Sequence, residues 1–173
     1  MQVVPLFSAA QIEARIAEIA ERLYRDYADA PISVLRVAEG ATRFVEALAT
    51  ALVELGVELE HHTVRARRSV GSRLGAVQIE AFDPGVLDGR DVLVVDDVVD
   101  EGATLRAVLE IVAMAETRSV RTAVLVDKRE RRRSGFEPDY AGFVVERGWI
   151  VGFGMDVNGE LRELDEIGVV LGD

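Results

Sequence analysis

Residues 92–105, Val-Leu-Val-Val-Asp-Asp-Val-Val-Asp-Glu-Gly-Ala-Thr-Leu, narrow the possible folds more than any other stretch of the chain. Val92 to Val95 are consecutive apolar strand-formers with no polar alternation. Such a run suits a strand buried on both faces, as in a parallel sheet covered by helices. Asp96 and Asp97 follow at the expected C-terminal end of that strand, where open α/β sheets keep their ligands. Asp100, Glu101, Gly102, Ala103 and Thr104 come next, and an amphipathic helix is expected from about Ala103 to Glu116. A glycine-containing turn that feeds a helix N-terminus offers free N–H groups and the positive end of the helix dipole, a setting for phosphate. The plainer reading is an acidic loop that only caps a helix.

The flanking sequence repeats the strand-then-helix theme. Ser8 and Gln11 form a capping-box pattern, and Ile12, Ile16, Ile19, Leu23 and Tyr27 keep helical spacing, so residues 8–28 are expected to be helical. Strands are expected at Ile32–Ala38 and Val57–Val64, with a helix from Thr42 to Leu55 closed by Gly56. Residues 65–75 read as a basic, glycine-containing loop, Ala76–Phe82 as a strand, and Val120–Val126 as a second buried strand. Arg129–Arg133 reads as a charged surface turn. Tyr140–Val145 and Trp149–Phe153 read as short strands. The expected fold is α/β, a central and mostly parallel sheet flanked by helices.

The order of apolar strand, acidic pair, third acid, glycine-containing turn and helix resembles the phosphoribosyl pyrophosphate (PRPP) motif of type I phosphoribosyltransferases. From Ile32 onward the resemblance narrows to the hypoxanthine-guanine phosphoribosyltransferases. Val124 to Arg132, Pro138 to Phe143, and Trp149 to Asp156 followed by Arg162 resemble that family's segments in the right order. The resemblance implies one domain over residues 1–173, with a core at about 32–145. A small hood lobe would come from the N-terminal segment and about 146–173. It also implies roles. Asp96 and Asp97 would hold the ribose diol. Glu101, Gly102, Ala103 and Thr104 would wrap the 5′-phosphate. Asp100 would act as general base beside the incoming purine. The turn at Glu39 and Gly40, with Arg162, would take pyrophosphate. Asp156, with Asp96 and Asp97, would help hold Mg²⁺ through water, since Mg²⁺ commonly binds one or two carboxylates plus substrate phosphates. The loop 65–75 would close over the site.

The base pocket can also be weighed by chemistry alone. A 6-oxopurine presents acceptors at O6 and N7. A lysine ammonium is a compact donor that suits O6 and disfavours a 6-amino group. Lys128 is the one lysine among nineteen arginines; its plainer reading is a surface charge. Trp149, the one tryptophan, either fills core or stacks on the purine, a contact worth roughly 1–3 kcal/mol. Ile150 would offer backbone groups to the exocyclic edge. Arg162 taken alone is as readily a surface charge.

Two residues depart from the family pattern. Glu101 stands where most members carry Thr or Ser, and would repel phosphate unless it turns outward or meets an arginine. Glu39 stands where Lys is common, which should weaken pyrophosphate binding unless Arg36 or Arg43 compensates. These acids leave a second class open, a regulatory PRPP-fold protein that senses nucleotides; a xanthine-preferring enzyme is the other alternative. The net charge of −11 opposes a nucleic-acid partner. No apolar run approaches the roughly 20 residues that span a bilayer. Cysteine is absent, and Met1 to Pro5 lack the pattern of a signal peptide. The expectations are a cytoplasmic, Mg²⁺-dependent enzyme that takes PRPP and 6-oxopurines, assembled as a homodimer or homotetramer.

Overall fold

The run Val92–Val95 lies at the centre of the molecule because it meets apolar partners on both faces. A computed structural model describes residues 2–28, 30–68, 77–132 and 135–171. Its elements are β1 (Gln2–Phe7), α1 (Ala9–Tyr27), β2 (Ile32–Arg36), α2 (Thr42–Glu54), β3 (Leu59–Thr63), β4 (Ala66–Arg68), β5 (Val77–Ile79), a 3₁₀ turn (Pro84–Leu87), β6 (Asp91–Val99), α3 (Ala103–Val112), β7 (Ser119–Lys128), β8 (Tyr140–Val145), β9 (Trp149–Val151) and β10 (Ile167–Leu171).

Five strands form one parallel sheet in the order β3-β2-β6-β7-β8. Leu93 and Val95 of β6 join the core on the side of α1 and α2. Val92 and Val94 join the core on the side of α3. The sheet is therefore covered on both faces, as the unbroken apolar run requires. Strand order reverses between β2 and β6, and the carboxyl ends of these two strands and β7 open on one side. That edge is where doubly wound sheets bind ligands.

A second sheet, β1-β10-β9, is antiparallel and is built from the two segments expected to form a hood. It ties the first residues of the chain to the last. β4 and β5 make a separate antiparallel pair. Residues 66–68, expected in a loop, are thus strand, and the following strand is shorter than Ala76–Phe82. Ser69 to Ala76, the bulk of the expected closing loop, lie outside the described residues. Among the described residues no helix is long and apolar enough to cross a membrane.

The capping box at α1 forms as read: Gln11 N–H donates to Ser8 Oγ, and the Gln11 side chain accepts from the Ser8 N–H. α3 stops at Val112, short of Glu116, because other partners take over the chain there. Glu116 N–H donates to Asp88 Oδ1 at 2.8 Å, and the Glu116 carbonyl accepts from Gly89 N–H at 2.8 Å.

Candidate active site

β6 runs on through the acidic pair to Val99, so Asp96 and Asp97 lie inside the strand and not after it. Asp96 is only 5% exposed. Its Oδ1 accepts the Asp97 N–H at 3.0 Å, and Asp97 Oδ1 accepts the Val98 N–H at 2.7 Å. Burial pushes both carboxyls above the usual carboxylate range, and the charge of Asp97 adds to the rise at Asp96. Arg162 pulls Asp97 back toward ionisation. Gly40, at the end of β2's loop, presses on this pair. A Cβ at position 40 would sit 1.9 Å from Asp97 Oδ2. Glycine is thus a packing requirement here, and it brings bare backbone against the carboxylate.

Beyond β6 the chain turns through Gly102, whose φ of +84° is left-handed and suits glycine. α3 starts at the next residue, and no side chain caps it. Its first N–H groups therefore face the same edge of the sheet. Ala103 and Thr104 are half-buried in that turn. Glu101 does meet an arginine: its Oε1 lies 3.7 Å from Arg131 Nη1.

Register sets Asp100 beside Lys128, because Val99 of β6 pairs with Asp127 of β7. Lys128 Nζ lies 3.2 Å from Asp100 Oδ2 and 3.3 Å from Glu130 Oε2. Arg131 also reaches Asp100 Oδ2, its Nε at 2.9 Å and its Nη2 in contact as well. Burial alone would raise the Asp100 carboxyl, but hydrogen bonds and charge from Arg131 and Lys128 outweigh it and hold the group below its usual value. Asp100 Oδ1 is buried and has no hydrogen-bond partner. An acceptor is thus left unsatisfied in the carboxylate that a nearly buried ammonium holds by its other oxygen.

Arg132 is the residue sequence reasoning missed. It was expected in a surface turn, yet its side chain is only 9% exposed. Its Nε donates to the Asp100 carbonyl at 2.6 Å and its Nη1 to the Phe136 carbonyl at 2.6 Å. Its Nη2 reaches the Val99 and Lys128 carbonyls and Asp127 Oδ1, the last at 2.6 Å. One guanidinium therefore clamps the ends of β6 and β7 together. The available signal was Asp127, a carboxylate closing a buried strand, which needs a buried counter-charge.

A cavity of about 250 Å³ opens between these groups and the hood. Asp97, Val98, Asp100, Lys128 and Arg131 line it from the parallel sheet, and Gly148, Trp149, Ile150, Met155 and Asp156 from the other side. Trp149 is 57% exposed, so it does not fill core. Its indole N–H donates to the Asp156 carbonyl at 3.0 Å, which fixes the ring at the cavity. Ile150 is buried in β9. Asp156 Oδ1 meets Arg162 at 2.7 Å, and Oδ2 accepts the Gly159 N–H at 2.6 Å.

The remaining predicted residues sit outside this cavity. Glu39 is exposed and borders a separate depression with Arg65 and Ala66. Arg43 does not face the Glu39–Gly40 turn. It donates to the Arg162, Glu163 and Leu164 carbonyls, pairs with Asp165 and lies 4.6 Å over the Phe153 ring. It anchors the chain around Arg162. Arg36 donates to Thr42 Oγ1 at 2.5 Å. Among the described residues no three His, Asp or Glu side chains cluster as a ready metal site. Three carboxylates line the cavity; Asp100 is taken by Lys128 and Arg131, and the other two, Asp97 and Asp156, form a donor set that suits an ion taking most of its ligands from water and phosphate.

A family model described as the phosphoribosyl transferase domain matches residues 6–158. The match takes in the first helix, which the sequence resemblance had left outside. The chain is 34% identical over 171 residues to a hypoxanthine-guanine phosphoribosyltransferase of Mycobacterium avium, an alignment covering 95% of this chain and 84% of that protein. It is 29% identical to the enzyme of the same name from Dictyostelium discoideum, over 94% of this chain and 92% of that one. A solved hypoxanthine phosphoribosyltransferase from Trypanosoma cruzi, in complex with its product IMP, superposes with a TM-score of 0.88 at 29% identity, covering 95% of this chain and 92% of that one. With its site at the carboxyl edge of β2, β6 and β7, the chain belongs to the phosphoribosyl transferase domain family.

Proposed function

We propose that this chain is a purine-salvage enzyme that transfers the 5-phosphoribosyl group from PRPP to hypoxanthine and guanine, yielding IMP or GMP and pyrophosphate. The observation that carries the reading is the pair Asp100 and Lys128 on one cavity wall, 3.2 Å apart. A 6-oxopurine in the N7-protonated tautomer, whose N9 lone pair is free to attack, needs a donor toward O6 and an acceptor toward its N7 proton, side by side, and these two residues supply both. A 6-aminopurine would set its own donor against the Lys128 ammonium. Trp149 offers a ring face to the base at the open side of the cavity, and Ile150 its backbone to the far edge.

Asp96 and Asp97 hold the ribose diol, and the α3 N-terminus at Gly102–Thr104 holds the 5′-phosphate. The purine N9 attacks C1′, and the C1′–O bond to pyrophosphate breaks with its electron pair. The sugar is cationic in between, so nearby carboxylates favour it. Asp100 shares the N7 proton. Lys128 beside it holds its basicity down, which suits sharing a proton more than stripping one from a free base. Backbone at Gly40 and the Arg162 guanidinium receive the pyrophosphate. Asp97 and Asp156, with Asp96 behind them, would hold Mg²⁺, which when bound neutralises the leaving group. A cytoplasmic location and a homodimer or homotetramer complete the proposal.

The regulatory alternative leaned on Glu39 and Glu101. Glu101 no longer supports it, since Arg131 faces that carboxylate. An absorbance assay with Mg²⁺, PRPP and four bases tests the reading. Turnover of hypoxanthine and guanine without adenine is expected. Turnover of adenine, or of no base, would overturn it.

A further inference from the structure

We infer that Arg131 is a movable phosphate-binding residue: it covers Asp100 and Glu101 in the unliganded protein and turns to the substrate's 5′-phosphate on binding, which uncovers Asp100 for the purine. This rests on the phosphoribosyl-transfer reading of the same site and adds a residue to it. The motivation is a conflict of charge. Residues 96–101 carry Asp96, Asp97, Asp100 and Glu101, and the substrate brings a phosphate to the end of that same segment. Glu101 stands two residues before α3, next to where the phosphate meets the helix. A second anion there repels the first unless a cation stays between them.

Arg131 is built for that position. It reaches Asp100 Oδ2 through Nε and Nη2, and through Nη1 it lies 3.7 Å from Glu101 Oε1. A guanidinium has five donors in a planar fork, so it can keep one carboxylate while trading another for phosphate. Its side chain is 53% exposed, against 9% for its neighbour Arg132. Arg132 is locked by backbone carbonyls and cannot move without opening the strand ends. Arg131 holds only side chains, so a rotamer change frees it. Lys128 stays on Asp100 meanwhile, at 3.2 Å, so the carboxylate keeps one counter-charge when Arg131 leaves. The trade also couples the two substrates: phosphate binding takes Arg131 off Asp100 Oδ2 before the base arrives, and the base meets that oxygen with only Lys128 still on it.

The test uses the full chain and its Arg131→Met and Arg131→Lys variants. GMP affinity is read by calorimetry, and the KM for hypoxanthine from steady-state rates at saturating PRPP. Loss of one charge-assisted contact should weaken GMP on the order of tenfold in Arg131→Met. The KM for hypoxanthine should stay level or fall, because nothing then competes at Asp100. Arg131→Lys should recover most of the GMP affinity. Adding Glu101→Thr to Arg131→Met should recover about threefold, since the leftover anion is gone. Unchanged GMP affinity, or a hypoxanthine KM that rises in step with the GMP loss, would overturn the proposal while leaving transferase activity standing. A wild-type chain that neither binds GMP nor turns over a base would overturn the underlying reading and this proposal with it.

Discussion

The two ends of the proposed site, the base cavity and the neighbouring Gly40 turn, are built by different means. At the base end, the working parts are side chains held by specific partners: Lys128 by the Asp100 and Glu130 carboxylates, Trp149 by the Asp156 backbone carbonyl, and the strand ends by Arg132. At the proposed pyrophosphate end the parts are the Gly40 backbone and one guanidinium, Arg162, which is itself paired with Asp156. Gly40 brings its peptide against Asp97, Glu39 is exposed, and Arg43 is committed elsewhere. Choosing among purines demands directed donors and acceptors, which only held side chains supply. Holding an anion demands N–H groups at close range, which a glycine turn supplies without charge. On the proposed reading, Glu39 can stand in the place of a cation because the Gly40 backbone and Arg162 still face the anion.

Breaking the backbone end should cost most. Gly40→Ala drives a methyl group into Asp97, whose other oxygen is already held by the Val98 N–H. Displacing that carboxylate by about 1 Å should lower kcat/KM for PRPP about 100-fold. The melting temperature should hardly move, since the clash falls on one side chain near the surface of the cavity. Lys128→Ala breaks the base end. It should lower kcat/KM for hypoxanthine roughly 10- to 100-fold, as for other lost charged hydrogen bonds, and leave the KM for PRPP nearly alone. Equal effects on both substrates would erase the distinction between the two ends.

Trp149→Ala should raise the KM for guanine about tenfold through lost stacking. Its exposure implies little change in stability, and a large drop in melting temperature would show that the ring supports the hood. The smallest effect sharpens the comparison. Glu39→Lys should lower the KM for PRPP about threefold, the scale of one exposed charge. No change would mean that Glu39 lies too far from pyrophosphate to matter, and that Gly40 backbone and Arg162 set this end without it.

The sheet's centre was legible because Val92–Val95 and Val120–Val126 carry one consistent signal over their whole length. The acidic pair was legible as a site, but its place inside β6 was not, because periodicity does not register where a strand ends when polar residues begin. β1 escaped notice: Gln2–Phe7 contains Pro5 and shows little burial, and its partner β10 lies at the other end of the chain. Such an edge strand is dictated by a non-local pairing, not by its own residues. Arg132 escaped for a related reason. In this part of the chain nothing local distinguishes the buried guanidinium of Arg132 from the exposed ones of Arg129 and Arg131. Only the register of β6 against β7, with Asp127 between them, selects it. Lys128, by contrast, stood out by composition, and its isolation among arginines coincides with a site that needs a compact donor.

The most direct test of the two-ended account is a crystal structure of the chain with GMP bound. The account predicts Lys128 Nζ on the purine O6, Asp100 at N7 and Trp149 over the ring, with Lys128, Trp149 and Arg132 within about 1 Å of their unliganded positions, as in a preformed pocket. A purine seated away from Lys128, or a base end that rebuilds itself around the ligand while the Gly40 turn stays still, would contradict it.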